Sequence, residues 1–212
     1  MVLTREDAAF SPNYRTCLFF AHDNGVVTLD GVTAKNNGGK GMAYVVDMSN
    51  SKNATINVEK STLETPYIPV RVFNNDKSGK HNVTIKNSTL KGKYCFWVQF
   101  YLAEDGYTQD ILDNQLNLDI FGNGNTLMPA EGKAPILFGY NAYYFYDANG
   151  NEWVADGASK DAEGNYLIYN AAGLEWFADN VNTMEFYVSS AANIFDGKTV
   201  YLTNDIDLGG AE

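Results

Sequence analysis

One strand text occurs three times in this chain, at nearly even spacing. The copies are Val27-Thr28-Leu29-Asp30-Gly31-Val32-Thr33-Ala34, Asn53-Ala54-Thr55-Ile56-Asn57-Val58-Glu59-Lys60-Ser61-Thr62-Leu63 and Asn82-Val83-Thr84-Ile85-Lys86-Asn87-Ser88-Thr89-Leu90. Each alternates apolar and polar residues and is rich in β-branched side chains, the pattern of a half-buried strand. Aligning Leu29, Val58 and Ile85 gives steps of 29 and then 27 residues. A period of that size denotes one supersecondary unit stacked on copies of itself.

Each copy continues through a polar step into a second apolar strand. These are Ala43-Tyr44-Val45-Val46, Ile68-Pro69-Val70-Arg71-Val72-Phe73 and Cys95-Phe96-Trp97-Val98-Gln99-Phe100. Turns rich in Gly and Asn join them. A fourth copy at Leu116-Asn117-Leu118-Asp119-Ile120 aligns Leu118 with Ile85 and implies an insertion around 103–113. No helix long enough for a βαβ crossover lies between the strands. An antiparallel sandwich also has short strands and frequent turns, but it is not expected to repeat one strand text at near-constant spacing. The expected fold is therefore all-β: a right-handed parallel β-helix over residues 1–142, with a small α+β capping module over 143–212.

Before the repeats, Thr4 to Phe10 reads as a helical turn capped by Thr4 and Thr16 to Ala21 as a strand. Beyond them, Tyr143 to Val154 reads as a hairpin with Asn149-Gly150 as a type I′ turn. Asn170 caps an expected helix from about Ala171 to Asn182, with Leu174, Phe177, Ala178 and Val181 on its buried face.

Charge limits the partners. The net charge is −11, and Arg5, Arg15 and Arg71 are the arginines. No basic stripe suits nucleic acid, and an anionic membrane surface would repel the chain. No apolar run approaches the roughly 20 residues of a membrane span, so no membrane insertion is expected. Residues 1–7 do not read as a signal peptide. Cys17 and Cys95 both sit in apolar runs, which favours buried free thiols over a disulfide.

The rungs resemble right-handed parallel β-helix proteins of the pectate-lyase-like superfamily. The tail is more specific. Ala171-Ala172-Gly173-Leu174-Glu175-Trp176-Phe177 followed by Lys198-Thr199-Val200-Tyr201-Leu202-Thr203-Asn204-Asp205-Ile206-Asp207-Leu208 is similar to a segment of large, adhesin-like bacterial surface proteins. There the segment introduces a β-helix: the helix caps the solenoid and the strand forms its first coil. The resemblance implies a secreted or cell-surface bacterial protein.

Candidate chemistry is sparse. Resemblance to pectate lyases would require a calcium-binding carboxylate cluster with a catalytic Arg or Lys. Resemblance to polygalacturonases would require paired Asp with Gly-His-Gly and Arg-Ile-Lys steps. Neither set is in the sequence. His22 and His81 both read as turn residues, and Arg71 as an outward-facing strand residue. Glu104, Asp110 and Asp113 sit in the insertion, where two carboxyls about 5–9 Å apart would suit glycoside hydrolysis; a solvated acidic loop is the default reading of them. Asp147, Asn149 and Asn151 alternate as calcium ligands do, but the Gly at position 6 and Glu at position 12 of a calcium loop are missing. Asp205 and Asp207 form a weaker pair of the same kind. No other cofactor is expected. Core packing is the default for the aromatic surplus. Trp97, Tyr101, Tyr143 and Tyr144 are the rings that would form a sugar-stacking platform if exposed.

The expectation is a non-catalytic surface segment acting in adhesion, in binding a glycan or surface protein, or in fibre assembly through its ends. The alternative is a polysaccharide lyase or glycoside hydrolase with its site in residues 103–113. A phage-tail-like fibre is a third reading.

Overall fold

A computed structural model describes residues 1–5, 16–38, 42–49, 52–74, 79–100, 114–139, 144–184 and 194–209. The chain divides into two compact units, residues 1–150 and 151–212, so Tyr144 to Gly150 belong with the repeats.

In chain order the first unit holds β1 (Val2–Arg5), β2 (Thr16–Ala21), β3 (Val26–Asp30), β4 (Thr33–Asn36), β5 (Ala43–Ser49), β6 (Thr55–Glu59), β7 (Thr62–Glu64), β8 (Val70–Asn74), β9 (His81–Lys86), β10 (Thr89–Lys91), β11 (Phe96–Phe100), β12 (Leu116–Asp119), β13 (Thr126–Met128), β14 (Ile136–Phe138) and β15 (Tyr144–Tyr146). The chain deals these strands to three sheets in fixed rotation. Sheet A takes β1, β4, β7, β10 and β13; sheet B takes β2, β5, β8, β11 and β14; sheet C takes β3, β6, β9 and β12. Neighbours within these sets pair in parallel. β15 then pairs antiparallel with β14. The unit is all-β, with stacked parallel sheets consistent with a β-helix-like solenoid. β1 takes in Thr4 and Arg5, and the rest of the helical turn expected over Thr4 to Phe10 lies outside the described residues.

The repeat alignment is a physical register. Leu29 lies opposite Val58 and Val58 opposite Ile85, their side chains together in the core. The fourth copy differs: Leu118 lies opposite Val83, not Ile85. A two-residue slip preserves which face each side chain occupies, so alternation alone does not reveal it.

A shared corner between sheets C and A repeats with the strands. Gly31, Lys60, Asn87 and Gly124 take left-handed φ values of 61°, 47°, 49° and 67°. The next residues stack as a buried ladder. Val32 N–H donates to Ser61 Oγ at 3.0 Å, Ser61 N–H to Ser88 Oγ at 3.1 Å, and Ser88 N–H to Asn125 Oδ1 at 3.1 Å. Each serine hydroxyl donates back to a carbonyl two residues earlier, at 2.7 Å. Ser88→Ala removes the acceptor of a buried N–H. It is expected to cost about 1–3 kcal/mol, read as a lower urea midpoint at unchanged slope.

The second unit holds β16 (Glu152–Ala155), β17 (Ala158–Lys160), β18 (Tyr166–Ile168), helix α1 (Ala171–Met184) and β19 (Val200–Leu202). β16, β17 and β18 run antiparallel, and β19 joins β18 in parallel. Asn170 caps α1 as expected, its Oδ1 accepting Gly173 N–H at 2.9 Å. The buried stripe is rotated from the expected one. Ala178 and Val181 are exposed, while Trp176 and Phe177 stack edge-on against Phe195. Large rings take the packed face and the smaller apolar residues are left outside. At Asp147 to Gly150, Gly150 N–H closes on Asp147 O at 3.3 Å, and of Asn149 and Gly150 only Gly150 has positive φ. This is a type I turn followed by a left-handed glycine, not type I′.

Candidate functional site

The expected aromatic platform does not assemble from the rings that are described. Trp97 on β11 lies opposite Arg71 and Leu137, and its indole N–H donates to Gly139 O at 2.9 Å. Tyr144 lies opposite Phe138, which lies opposite Val98, and both of those are core residues. Directly paired residues share a face, so Trp97 and Tyr144 occupy opposite faces of sheet B. Tyr101, Tyr143, Glu104, Asp110 and Asp113 lie outside the described residues.

Asp147 Oδ1 accepts Asn149 N–H at 2.8 Å, so turn chemistry occupies that side chain. Among the described residues no group of three His, Cys, Asp or Glu side chains is arranged to hold a metal. Asp205 and Asp207 are exposed in the tail.

Arg71 faces outward as its neighbours lead one to expect, but solvent does not reach it. It points away from the core yet is 1 % exposed. Nε and Nη2 donate to Asp47 Oδ1 and Oδ2 at 2.9 and 2.8 Å, and Nη1 donates to Gln99 Oε1 at 3.2 Å. The guanidinium also lies over the Tyr44 ring, 4.6 Å from its centroid. Its charge is committed to a buried bidentate pair across β5 and β8.

His81 is no turn residue. It opens β9, fully buried, with Nδ1 accepting Ala54 N–H at 3.3 Å. Burial lowers its pKa below 6.5. The unfolded imidazole protonates at the ordinary value, so this residue's stabilising share is complete above about pH 6.5 and is lost as pH falls toward the folded pKa. His81→Gln is expected to flatten the loss of stability between about pH 7 and pH 5, measured as urea midpoints across that range. Both cysteines are free; Cys17 is half-buried and Cys95 buried, its thiol pushed up to about 12.

Among the described residues are two open surface features, neither of them among the expected sites. The first is a hollow of about 350 Å³ on sheet C, lined by Lys80, Asn82, Thr84, Asn117, Leu118 and Asp119 among others. β9 and β12 place Asn82 beside Asn117 and Thr84 beside Asp119. Asn117 Nδ2 donates to Asn82 Oδ1 at 2.6 Å. The Asn123 amide, then the Lys86 ammonium 2.8 Å away, hold the Asp119 carboxyl below its usual range. The hollow therefore offers amide, hydroxyl and carboxylate groups on a rigid frame, while Leu118 and its partner Val83 face the core.

The second is a groove of about 620 Å³ at the end of sheet A, crossing four successive repeats. Its lining includes Asn37, Glu64, Pro66, Lys91, Lys93 and Met128. Beside it, Thr33, Thr62, Thr89 and Thr126 form one in-register column, and Lys35, Glu64, Lys91 and Met128 another. Lys35 Nζ is 3.1 Å from Glu64 Oε1 and Lys91 Nζ 3.6 Å from the same oxygen. The Lys35 contact keeps the Glu64 carboxyl ionised below its usual range.

Comparison with protein-family models, curated proteins and solved structures finds no match for this chain.

Proposed function

We propose that residues 1–150 form the coils of a right-handed parallel β-helix, and that the chain is a non-catalytic, secreted or cell-surface bacterial segment that binds glycans. The rotation of strands through sheets A, B and C supports the helical path. The strong preference of parallel crossovers for one hand supports its handedness. The tail's similarity to adhesin-like proteins supports the location.

The observation that carries the glycan reading is the sheet C hollow. Sugar hydroxyls both donate and accept, and need matched polar partners. Asn82, Thr84, Asn117 and Asp119 supply both kinds of partner. Their spacing is set by the β9–β12 register rather than by a mobile loop. At about 350 Å³ the hollow is at the small end of ligand sites.

A glycan array combined with polysaccharide digestion tests this. Binding without cleavage is expected, with loss of at least about tenfold in affinity for Thr84→Ala/Asn117→Ala. No binding to any glycan would remove the reading. Cleavage would replace it with the enzyme alternative and direct attention to Glu104, Asp110 and Asp113.

A further inference from the structure

We propose that the groove beside sheet A receives the acidic segment Asn204–Leu208 of a second copy of this chain. The inference is separate from the glycan site and rests on charge and shape found in two places on one molecule.

The groove is a local exception to the charge of the chain. Against a net charge of −11, its lining holds Lys91 and Lys93 with one carboxylate, Glu64, which Lys35 pairs from beside the groove. Glu64 is already held by Lys35 at 3.1 Å, and Lys91 stands farther off at 3.6 Å. Surface pairs of this kind are worth about 0–1 kcal/mol, so Lys91 gives up little by turning to another carboxylate. Lys93 is exposed, its Nζ 5.7 Å from the Tyr94 ring centroid. Pro66, Met128, Pro129 and Ala130 supply apolar walls between these cations.

The tail has the complementary pattern. Asp205 and Asp207 alternate with Ile206 and Leu208, and Leu208 is 47 % exposed. In extended chain, alternate residues point to opposite sides, and those on one side stand about 6.6 Å apart. One side then carries two carboxylates and the other two apolar groups. The segment is also held in place. Thr203 N–H donates to Ile168 O at 2.9 Å and Asn204 Nδ2 to Tyr169 O at 3.1 Å. Beyond it, Gly209 N–H donates to Asp207 Oδ1 at 2.8 Å. A segment tied at one end and closed by a turn at the other loses less freedom on docking. Asp205 and Asp207 pair with Lys91 and Lys93, and Ile206 and Leu208 meet Pro66, Met128 and Pro129.

The two surfaces differ, so the contact is heterologous and a pair of copies keeps one of each surface free. Such contacts propagate head to tail unless the rotation closes a ring.

Sedimentation velocity over a concentration series tests this on the whole chain, with circular dichroism confirming each variant's fold. The wild type is expected to associate as concentration rises, and less so at high salt. K91E/K93E and D205K/D207K are each expected to weaken association at least about tenfold, because like charges now face each other. An equimolar mixture of the two variants restores it, since each reversed surface meets its match. A monomeric wild type at every concentration, a variant that assembles like the wild type, or a mixture that stays apart would overturn the proposal. Glycan binding at the sheet C hollow, measured on the same variants, is expected to be unchanged, so the two readings fail separately.

Discussion

Arg71→Ala is expected to lower the unfolding free energy by about 3–5 kcal/mol. The reason is not the gross attraction of the pair but the burial of what is left. Asp47 is 3 % exposed and receives two guanidinium hydrogen bonds. Without Arg71 its carboxylate stays buried with both of those donors gone, and the Gln99 amide oxygen loses the Nη1 donor. The contrasting variant is Arg71→Met with Asp47→Leu, which removes both charges and keeps most of the volume. Replacing a whole buried ion pair by apolar residues is often close to neutral, so the double variant is expected to be more stable than Arg71→Ala. Urea denaturation of all three proteins decides it. A loss below about 1 kcal/mol for Arg71→Ala would mean that water reaches the pair, as at exposed sites.

Ile85→Ala is expected to cost about 2–5 kcal/mol. Ile85 is fully buried on β9, between β6 and β12, and its loss leaves a cavity that the stacked sheets cannot readily collapse. Val83 on β9 and Val27 on β3 are matching inward valines, but β3 pairs only with β6 and Val27 is half-buried while Val83 is buried. Val27→Ala is therefore expected to cost clearly less than Val83→Ala. In a stacked repeat, stability is a sum over neighbouring units, so the difference between the two variants measures how much an interior repeat gains from being flanked on both sides. Equal losses would argue against a nearest-neighbour stack.

The strands of the first three repeats are legible in the sequence because period-two alternation and β-branched residues report burial directly. Leu29, Val58 and Ile85 align on spacing, and they pair in the fold. The fourth repeat aligns wrongly at Leu118 because a two-residue slip leaves the alternation intact. Arg71 and His81 mislead for a related reason. Their sequence neighbours say which way a strand faces, but not what covers its outer face or how far the strand extends into a turn. The asparagine cap of α1 is legible because it is local; the helix's buried stripe is legible only in part, for Phe177 packs as expected while Phe195, far along the chain, draws in Trp176.

The groove beside sheet A does have a signal in the sequence. Lys35, Glu64 and Lys91 are 29 and 27 residues apart, the same steps as the core positions. Written in the frame of the repeat, the amino-acid text alone sets these charged residues in a column beside the threonines. The sheet C hollow is harder to find. Its second wall, Asn117 and Asp119, follows residues 101–113, and the length of that insertion hides which residue faces Asn82.

The corner ladder carries a consequence for how such a chain changes over generations. Ser61-Thr62-Leu63 and Ser88-Thr89-Leu90 spell the same three residues at the same corner. Excising residues 62–88 would join Ser61 directly to Thr89 and leave that text unaltered, with the hydroxyl, the left-handed residue before it and the buried leucine after it all in place. Replication slippage or unequal crossing-over between two such stretches of gene would therefore remove or duplicate an entire storey rather than break one. Length in this protein is a copy number, adjustable in whole steps while the surfaces on either side of the change keep their form.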